Sequence, residues 1–211
     1  MVRYGMVIDL TKCVGCETCT ASCKNDNSTP KNTFWRAVRD LEVGEYPMVK
    51  RVFVPLSCMH CAKPPCLEVC PTTATRQRSD GIVVIDINLC MGCGYCIVAC
   101  PYDQRWLVKE EKKYFDGHQT PPEQVNPFLY YGMASKCDFC VDRVDEGVRR
   151  GLKPGVDPEA TPACVNSCIS KALYFGDLDD PESEVARLAR SRRAFRLLPE
   201  FGTEPSVYYL R

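Results

Sequence analysis

Residues 90–101 read CMGCGYCIVACP, and their four cysteines have the spacing C-x2-C-x2-C-x3-C. Three thiols on one tight loop, those of Cys90, Cys93 and Cys96, can face a single multi-atom metal centre. The same loop does not wrap easily to the remaining side of that centre, so the next helical turn carries Cys100 toward a neighbouring one. The spacing therefore predicts metal centres that lie in close pairs.

Three further groups of four cysteines lie elsewhere in the chain. One repeats the same spacing, another is a variant of it, and the last is split into two halves. The groups are Cys13, Cys16, Cys19 and Cys23 (group one); Cys58, Cys61, Cys66 and Cys70 (group two); Cys90, Cys93, Cys96 and Cys100 (group three); and Cys137, Cys140, Cys164 and Cys168 (group four). They use all 16 cysteines of the 211-residue chain.

Iron is the metal that this spacing favours. The run is that of bacterial ferredoxins, in which four thiolates hold each 4Fe–4S cluster and the fourth cysteine ligates the other cluster of a pair. Four structural zinc sites would also use every cysteine, but such sites usually join two separated C-x2-C pairs, as only group four does. Disulfide frameworks are typical of much shorter secreted chains. Four 4Fe–4S clusters and no 3Fe–4S centre are predicted.

The link between groups two and three indicates how the groups pair. Residues 71–89 read as a hairpin, because the β-branched run Ile82–Ile85 follows the turn signal Ser79-Asp80-Gly81. Both groups also end in Cys-Pro, whereas groups one and four lack the proline. Groups two and three are therefore expected to form an inner module that is inserted into an outer module of groups one and four. A tandem order, one with two and three with four, is the alternative.

The nested order predicts four ligand sets, which we call quartets A to D. Each takes three cysteines that lie together and one from the partner group. Quartet A is Cys13, Cys16, Cys19 and Cys168; quartet B is Cys58, Cys61, Cys66 and Cys100; quartet C is Cys90, Cys93, Cys96 and Cys70; and quartet D is Cys137, Cys140, Cys164 and Cys23.

Composition excludes several classes of protein. The 27 basic and 27 acidic residues leave no basic surplus for nucleic-acid binding. No apolar run approaches the roughly 18 residues that span a bilayer, and residues 1–10 do not read as a secretory signal. We therefore expect no nucleic-acid partner, no direct membrane span and no signal peptide.

Little in the chain suggests catalysis. Neither a G-x-G-x-x-G motif nor a P-loop lysine is present, and His60 and His118 are the only histidines. Clusters with thiolate at every corner have no open position for a substrate, so single-electron transfer is predicted and no catalytic residue is expected. His60 is expected to hydrogen-bond near a cluster; a role at a quinone or proton-coupled exit and an exposed ring are the alternatives.

Lysines stand beside several ligands. An oxidised 4Fe–4S cube with four thiolates carries a formal charge of about −2, so a nearby cation raises its reduction potential. The candidates are Lys12, Lys24, Lys136 and Lys171, and the alternative for each is an ordinary solvated side chain.

The segments between the cysteines have their own patterns. Residues 4–10 are expected to form a strand, and residues 141–163 a surface loop. Residues 106–131 are too long for a turn and are expected to bind a partner or to be mobile. Residues 181–198 read as a helix with Val185, Leu188, Ala189 and Phe195 on one face. The tail after it is apolar enough to need a surface that covers it.

Stretches outside the cysteine pattern add a family resemblance. The chain resembles the iron–sulfur electron-transfer subunits of the dimethyl-sulfoxide-reductase superfamily of molybdopterin oxidoreductases, of the polysulfide/thiosulfate reductase type, over essentially its whole length. The stretches are MVIDLTKCVGC at Met6–Cys16, EVGEYP at Glu42–Pro47, SKCDFC at Ser135–Cys140, FGDLDDPES at Phe175–Ser183 and GTEPSVYYL at Gly202–Leu210. One departure is Cys168-Ile169, where the family usually has Cys-Pro.

The resemblance implies an α+β fold of two bacterial-ferredoxin-like 2×4Fe–4S modules, the second inserted into the first. The outer module would comprise residues 1–50 and 132–180. The inner module would comprise residues 51–131, with the long loop at 106–131, and residues 181–211 would form a C-terminal helix and tail.

The resemblance also implies a role in anaerobic respiration. The chain would pass single electrons through four clusters between a large molybdopterin catalytic subunit, containing Mo or W, and a quinone-reactive membrane anchor subunit or other electron carrier. A free-standing polyferredoxin carrier is the alternative. The complex would lie at the periplasmic face of the cytoplasmic membrane, exported with its partner, or in the cytoplasm.

Overall fold

The fold is a small α+β arrangement of short elements joined by cysteine-bearing loops. The computed structural model describes residues 2–111, 113–115 and 118–211; Lys112, Asp116 and Gly117 of the predicted long loop lie outside them. No helix in these ranges is long and apolar enough to cross a membrane. The α-helices are α1 (Thr18–Asn27), α2 (Pro65–Glu68), α3 (Tyr95–Val98), α4 (Pro121–Val125), α5 (Val141–Arg149), α6 (Ala163–Asn166) and α7 (Glu184–Ala189).

Ten strands form one four-stranded sheet and three two-stranded ones in the described ranges. The large sheet has the order β8-β1-β10-β9, and the pairs are β2-β3, β4-β5 and β6-β7. The strands are β1 (Tyr4–Asp9), β2 (Arg36–Val43), β3 (Lys50–Ser57), β4 (Thr75–Gln77), β5 (Val83–Ile85), β6 (Trp106–Leu107), β7 (Ala134–Ser135), β8 (Leu173–Asp177), β9 (Ala194–Phe195) and β10 (Val207–Leu210).

The predicted N-terminal strand is confirmed as β1, and every residue of it is buried. Met6 and Ile8 face the main core, whereas Val7 faces a smaller core under α7. Burial on both faces explains why the strand is almost continuously apolar. β1 pairs antiparallel with β8 and parallel with β10, so it ties the two ends of the chain together.

The C-terminal tail finds its cover within the same chain. β10 lies between β1 and β9, with Val207, Tyr209 and Leu210 all buried. The tail thus buries its apolar residues as an interior strand.

The predicted helix over residues 181–198 is wrong beyond Arg190. α7 begins after Ser183, whose Oγ accepts a hydrogen bond from the backbone N of Ala186, and it ends at Ala189. Residues 194 and 195 instead pair with β10, which requires extended backbone. Sheet pairing therefore overrides the helical pattern here, and Phe195 packs against Tyr209 rather than under the helix.

The predicted surface loop at 141–163 is wrong in its first part, which is α5. Val144 and Gly147 are the buried residues of that helix, and they form an inner face. Gly147 lies against Ala160 of a 3₁₀ turn at Pro158–Ala160, where a side chain would not fit.

The hairpin predicted between groups two and three is confirmed. β4 pairs antiparallel with β5, and Gly81 has a positive φ in the turn between them. A longer hairpin, β2-β3, was not predicted. Its outer half is exposed, from Leu41 to Val49.

The segment 106–131 packs in part on its own chain. β6 pairs with β7, and the Tyr114 hydroxyl donates to the carbonyl of Thr29 at 2.9 Å. The Asn126 amide donates to the carbonyl of Asp26 at 2.5 Å. Both acceptors lie at the end of α1, so this segment covers that end of the helix.

One glycine supports a stability prediction. Gly155 has a φ of +86°, and a Cβ there would lie 1.9 Å from the carbonyl oxygen of Phe175 in β8. At Gly151, with a φ of +75°, an added Cβ meets nothing within 4 Å. We expect Gly151→Ala to cost only the left-handed backbone penalty of about 1–2 kcal/mol. Gly155→Ala should lower the melting temperature further, and equal melting temperatures would show that the loop yields without strain.

Candidate metal centres

Three of the four predicted quartets each line a cavity. Their free volumes are small, about 20 Å³ for each of quartets A and B and about 10 Å³ for quartet D. Each of these cavities contains all four cysteines of one quartet among its lining residues.

Helix pairs bring the distant cysteines together. α1 carries Cys19 toward the quartet A cavity and Cys23 toward the quartet D cavity, and it contacts α6, which carries Cys164. In the other half of the chain α2 contacts α3, so that Cys66 and Cys96 approach each other. In each half of the chain, a pair of contacting helices thus brings together cysteines that are predicted ligands.

Quartet C lies closer to the surface. Cys93 is exposed, Cys70 and Cys90 are half-buried, and Cys96 is buried. The backbone N of Ala134 donates to Cys90 Sγ at 3.4 Å, and the backbone N of Thr75 donates to Cys70 Sγ at 3.4 Å. These bonds fix two sulfur atoms that flank the open end of the β4-β5 hairpin, one before β4 and one after β5.

The donor set fits a positively charged multi-atom group. Burial raises the pKa of Cys19 to about 11 and that of Cys61 to about 12, so these thiols resist ionisation until a cation neutralises them. All sixteen cysteines are free thiols, so the disulfide interpretation is wrong. Within the described residues no three His, Cys, Asp or Glu side chains are arranged to hold a single metal ion. Four thiolates are the ligand set of a 4Fe–4S cube, and each quartet supplies four.

Two arginines that the sequence analysis missed touch predicted ligands. Arg36 Nη2 lies 3.6 Å from Cys164 Sγ and 2.8 Å from Met6 Sδ, and its Nε and Nη1 are buried without a partner. Arg105 Nη2 lies 3.0 Å from Cys66 Sγ. Arg36 lines the quartet D cavity and Arg105 the quartet B cavity, so both offer donors to whatever fills them. For Arg36, the sequence offered one sign of burial, since it is a lone arginine within the aromatic and apolar run 34–38.

The four predicted lysines differ in their surroundings. Lys136 is 3% exposed and donates to the carbonyls of Val83 and Cys137. Lys24 is half-buried and donates to the carbonyl of Thr33 at 2.7 Å. Lys171 is exposed, which is the solvated alternative, whereas the exposed Lys12 donates to the hydroxyl of Tyr174 at 2.5 Å. Lys136 is thus the lysine most enclosed beside a ligand.

His60 is completely buried, so the exposed alternative for this ring is wrong. Its Nδ1 accepts the backbone N–H of Val83 at 3.0 Å, which assigns the proton of the neutral ring to Nε2. Burial, with the charges of Lys136, Arg105 and Arg36, holds the pKa of His60 well below its usual range. Nε2 has no hydrogen-bond partner, so it is a further buried donor that is available to a bound group.

Comparisons with known proteins agree with this chemistry. A family described as a 4Fe–4S dicluster domain matches residues 49–116. The chain is 41% identical to a selenate reductase subunit of Mesobacillus selenatarsenatis, over 99% of this chain and 72% of that protein. It is 41% identical to a tetrathionate reductase subunit of Salmonella typhimurium, over 99% and 72%. It is 35% identical to the arsenate respiratory reductase iron–sulfur subunit of Shewanella sp., over 100% and 97%.

Proposed function

Because the chain belongs to the family of iron–sulfur electron-transfer subunits of molybdopterin oxidoreductases, we propose that it carries single electrons between a catalytic subunit and a second redox partner. Its cofactors are 4Fe–4S clusters, and it is a non-catalytic subunit of a larger enzyme complex. The proposed partners are a large molybdopterin subunit and a quinone-reactive membrane subunit or other carrier. When bound, each cluster supplies reversible one-electron transfer.

The proposed ligands are those of quartets A to D, in two nested modules. The observation that carries this proposal is that each of three cavities is lined by one complete quartet. The outer module would take residues 1–50 and 132–180, and the inner module residues 51–131. Residues 181–211 would add β9 and β10 to the sheet of the outer module and pack α7 against it.

Shared elements support the linear order A–D–B–C. Quartets A and D share α1, through Cys19 and Cys23. Quartets B and C meet where α2 contacts α3. Between the two pairs, Lys136 bridges the carbonyl of Cys137, a quartet D residue, and that of Val83, which lines the quartet B cavity.

The exposure of the ligands supports a path in which electrons enter at one end of this line and leave at the other. Cys16 of quartet A and Cys93 of quartet C are the two exposed cysteines, whereas quartets B and D have none. Exposed apolar side chains surround both ends, and such patches are typical of protein interfaces. Patch A contains Val14 and Ile169, and patch C contains Leu89, Met91, Tyr95 and Val98. A free carrier would have no use for apolar surface at both ends, which disfavours the polyferredoxin alternative.

The chain would work as a peripheral part of its complex. Partners docked on patches A and C would hold it at the periplasmic face of the cytoplasmic membrane or in the cytoplasm.

Purification from the native source tests the proposal. We expect the chain to co-purify anaerobically with a subunit that contains Mo or W, and to carry about sixteen iron atoms. Val98→Glu, at an 88% exposed position in patch C, should release one partner because a carboxylate cannot be buried there unpaired. Val148→Glu, at a 49% exposed position on α5, is the control and should release none. A fully loaded, stable monomer from wild-type cells would overturn the proposal.

A further inference from the structure

Three buried cations lie at the three gaps between the proposed quartets, and we infer that each raises the reduction potential of the clusters on both sides of it. The cations are Arg36, Lys136 and Arg105, which are 1%, 3% and 4% exposed. Within the described part of the chain none of them forms an ion pair. An unpaired buried charge is strongly unfavourable, so something anionic must compensate each one. The inference rests on the proposed ligand sets.

Arg36 lies between quartets A and D. Its Nη2 contacts Cys164 Sγ of quartet D at 3.6 Å. Burial opposes its charge, but the sulfur atoms of Cys164, Cys19 and Cys137 lie near enough to raise the pKa of the guanidinium above its usual range. Val38, two residues further along β2 and on the same face, lines the quartet A cavity, so the cation lies beside both ligand sets.

Arg105 occupies the equivalent place between quartets B and C. Its Nη2 contacts Cys66 Sγ of quartet B at 3.0 Å, and Nη1 donates to the hydroxyl of Thr75 at 3.1 Å. Burial again opposes the charge, whereas Cys66, Cys96 and Cys58 favour it and keep the pKa raised. Cys96 is a quartet C residue, so this cation also faces two ligand sets.

Lys136 lies in the middle gap, between quartets D and B. Its Nζ donates to the carbonyl of Cys137 at 2.9 Å and to that of Val83. Val83 lines the quartet B cavity, so this cation lies beside both ligand sets. Asp138 and Lys136 line one small cavity, but the Asp138 carboxylate accepts the backbone N–H of Cys140 at 2.9 Å and forms no ion pair with Lys136.

The physical consequence follows from charge. A 4Fe–4S cube with four thiolates carries about −2 when oxidised and one more negative charge when reduced. A fixed cation beside it stabilises the reduced form more than the oxidised form, and low dielectric strengthens this attraction. A cation between two cubes also offsets their mutual repulsion. Among the described residues, one buried cation thus lies in each gap between neighbouring anionic clusters of the proposed line A–D–B–C.

Methionine substitutions test the inference, because methionine fills similar space without charge. Redox titrations followed by EPR would give the potential of each cluster in the loaded protein. Signals are assigned by their loss in Cys16→Ser for quartet A, Cys140→Ser for D, Cys58→Ser for B and Cys93→Ser for C. Arg39→Met, at an exposed position on the same strand as Arg36, is the matched control.

Each methionine variant is expected to lower the reduction potentials of two neighbouring clusters. Arg36→Met should lower the potentials of the clusters at A and D, Lys136→Met those at D and B, and Arg105→Met those at B and C. Each shift should be at least tenfold in the reduction equilibrium, which is about 59 mV for one electron. Arg39→Met should move none, and Arg36→Lys should retain most of the wild-type potential.

Several results would overturn the inference. One is a loaded Arg36→Met protein with the potentials of Arg39→Met; another is an Arg36→Lys protein shifted as far as Arg36→Met, since shape would then be the cause. If Arg36→Met loses iron, the potentials of loaded Lys136→Met and Arg105→Met decide: shifts of the two neighbouring clusters in each support the inference, and unshifted potentials reject it. Wild-type protein with far fewer than about sixteen irons would instead reject the proposed ligand sets themselves.

Discussion

Cys23→Ser is expected to abolish the normal cluster at Cys137, Cys140 and Cys164 and to leave the one at Cys58 intact. Cys23 lies on α1, is 5% exposed and lines the same cavity as those three residues. Burial also raises its pKa well above that of a free thiol, so its sulfur is a poor anion without iron. The tandem order of modules predicts the opposite loss, at Cys58. Iron content should fall from about sixteen by up to about four atoms per chain.

The comparison needs two reference variants. Cys140→Ser removes a ligand that both orders assign to group four, and Cys58→Ser removes one that both assign to group two. Under the nested order the EPR spectrum of reduced Cys23→Ser should match that of Cys140→Ser. A match to Cys58→Ser would reject the nested order while leaving the iron–sulfur assignment in place.

Tyr209→Ala should cause the largest loss of stability among single changes outside the cysteines. The side chain is fully buried on β10, its hydroxyl donates to the carbonyl of Pro55 at 2.8 Å, and its ring packs 5.9 Å from that of Phe195. Truncation of a buried aromatic residue costs about 3–5 kcal/mol. For a chain of this size, this lowers the apparent melting temperature by roughly 6–20 °C.

Tyr209→Phe is the matched control for this change. It keeps the ring and removes one hydrogen bond, worth about 1 kcal/mol, so the melting temperature should fall by only roughly 2–4 °C. Thermal unfolding of the anaerobic, loaded proteins, followed by circular dichroism and by cluster absorbance, measures both. Equal melting temperatures for Tyr209→Ala and wild type would mean that β10 does not hold the sheet together.

Local patterns predicted the elements that local interactions specify. β1 and the β4-β5 hairpin follow from an apolar run and from a turn signal within a few residues of each strand. The helix predicted beyond Arg190 failed because Ala194 and Phe195 pair with residues of β10 that lie some fifteen positions away. The same reason explains the unpredicted use of the tail as an interior strand.

The cations were missed for a related reason. Arg36 contacts a cysteine 128 positions away and Arg105 one 39 positions away, so no spacing rule connects them. The lysines were proposed because they adjoin predicted ligands in sequence, yet Lys171 is exposed and Lys12 Nζ donates to the hydroxyl of Tyr174. Adjacency in the chain does not fix the direction of a long, flexible side chain.

Cysteine spacing by itself determined the chemistry of this protein, because three thiols on one short loop face one centre whatever surrounds them. Stretches outside the cysteine pattern, such as Phe175–Ser183 and Gly202–Leu210, carried the family resemblance. The sequence predicted the nested ligand sets but left the tandem order open, and in the tertiary structure three of the nested sets each line one cavity. Only the tertiary structure decided which two cysteines reach the surface and which cations are buried beside the predicted ligands. Those features depend on the packing of α1 on α6 and of α2 on α3, and contacts between segments far apart in the chain leave no local pattern to read.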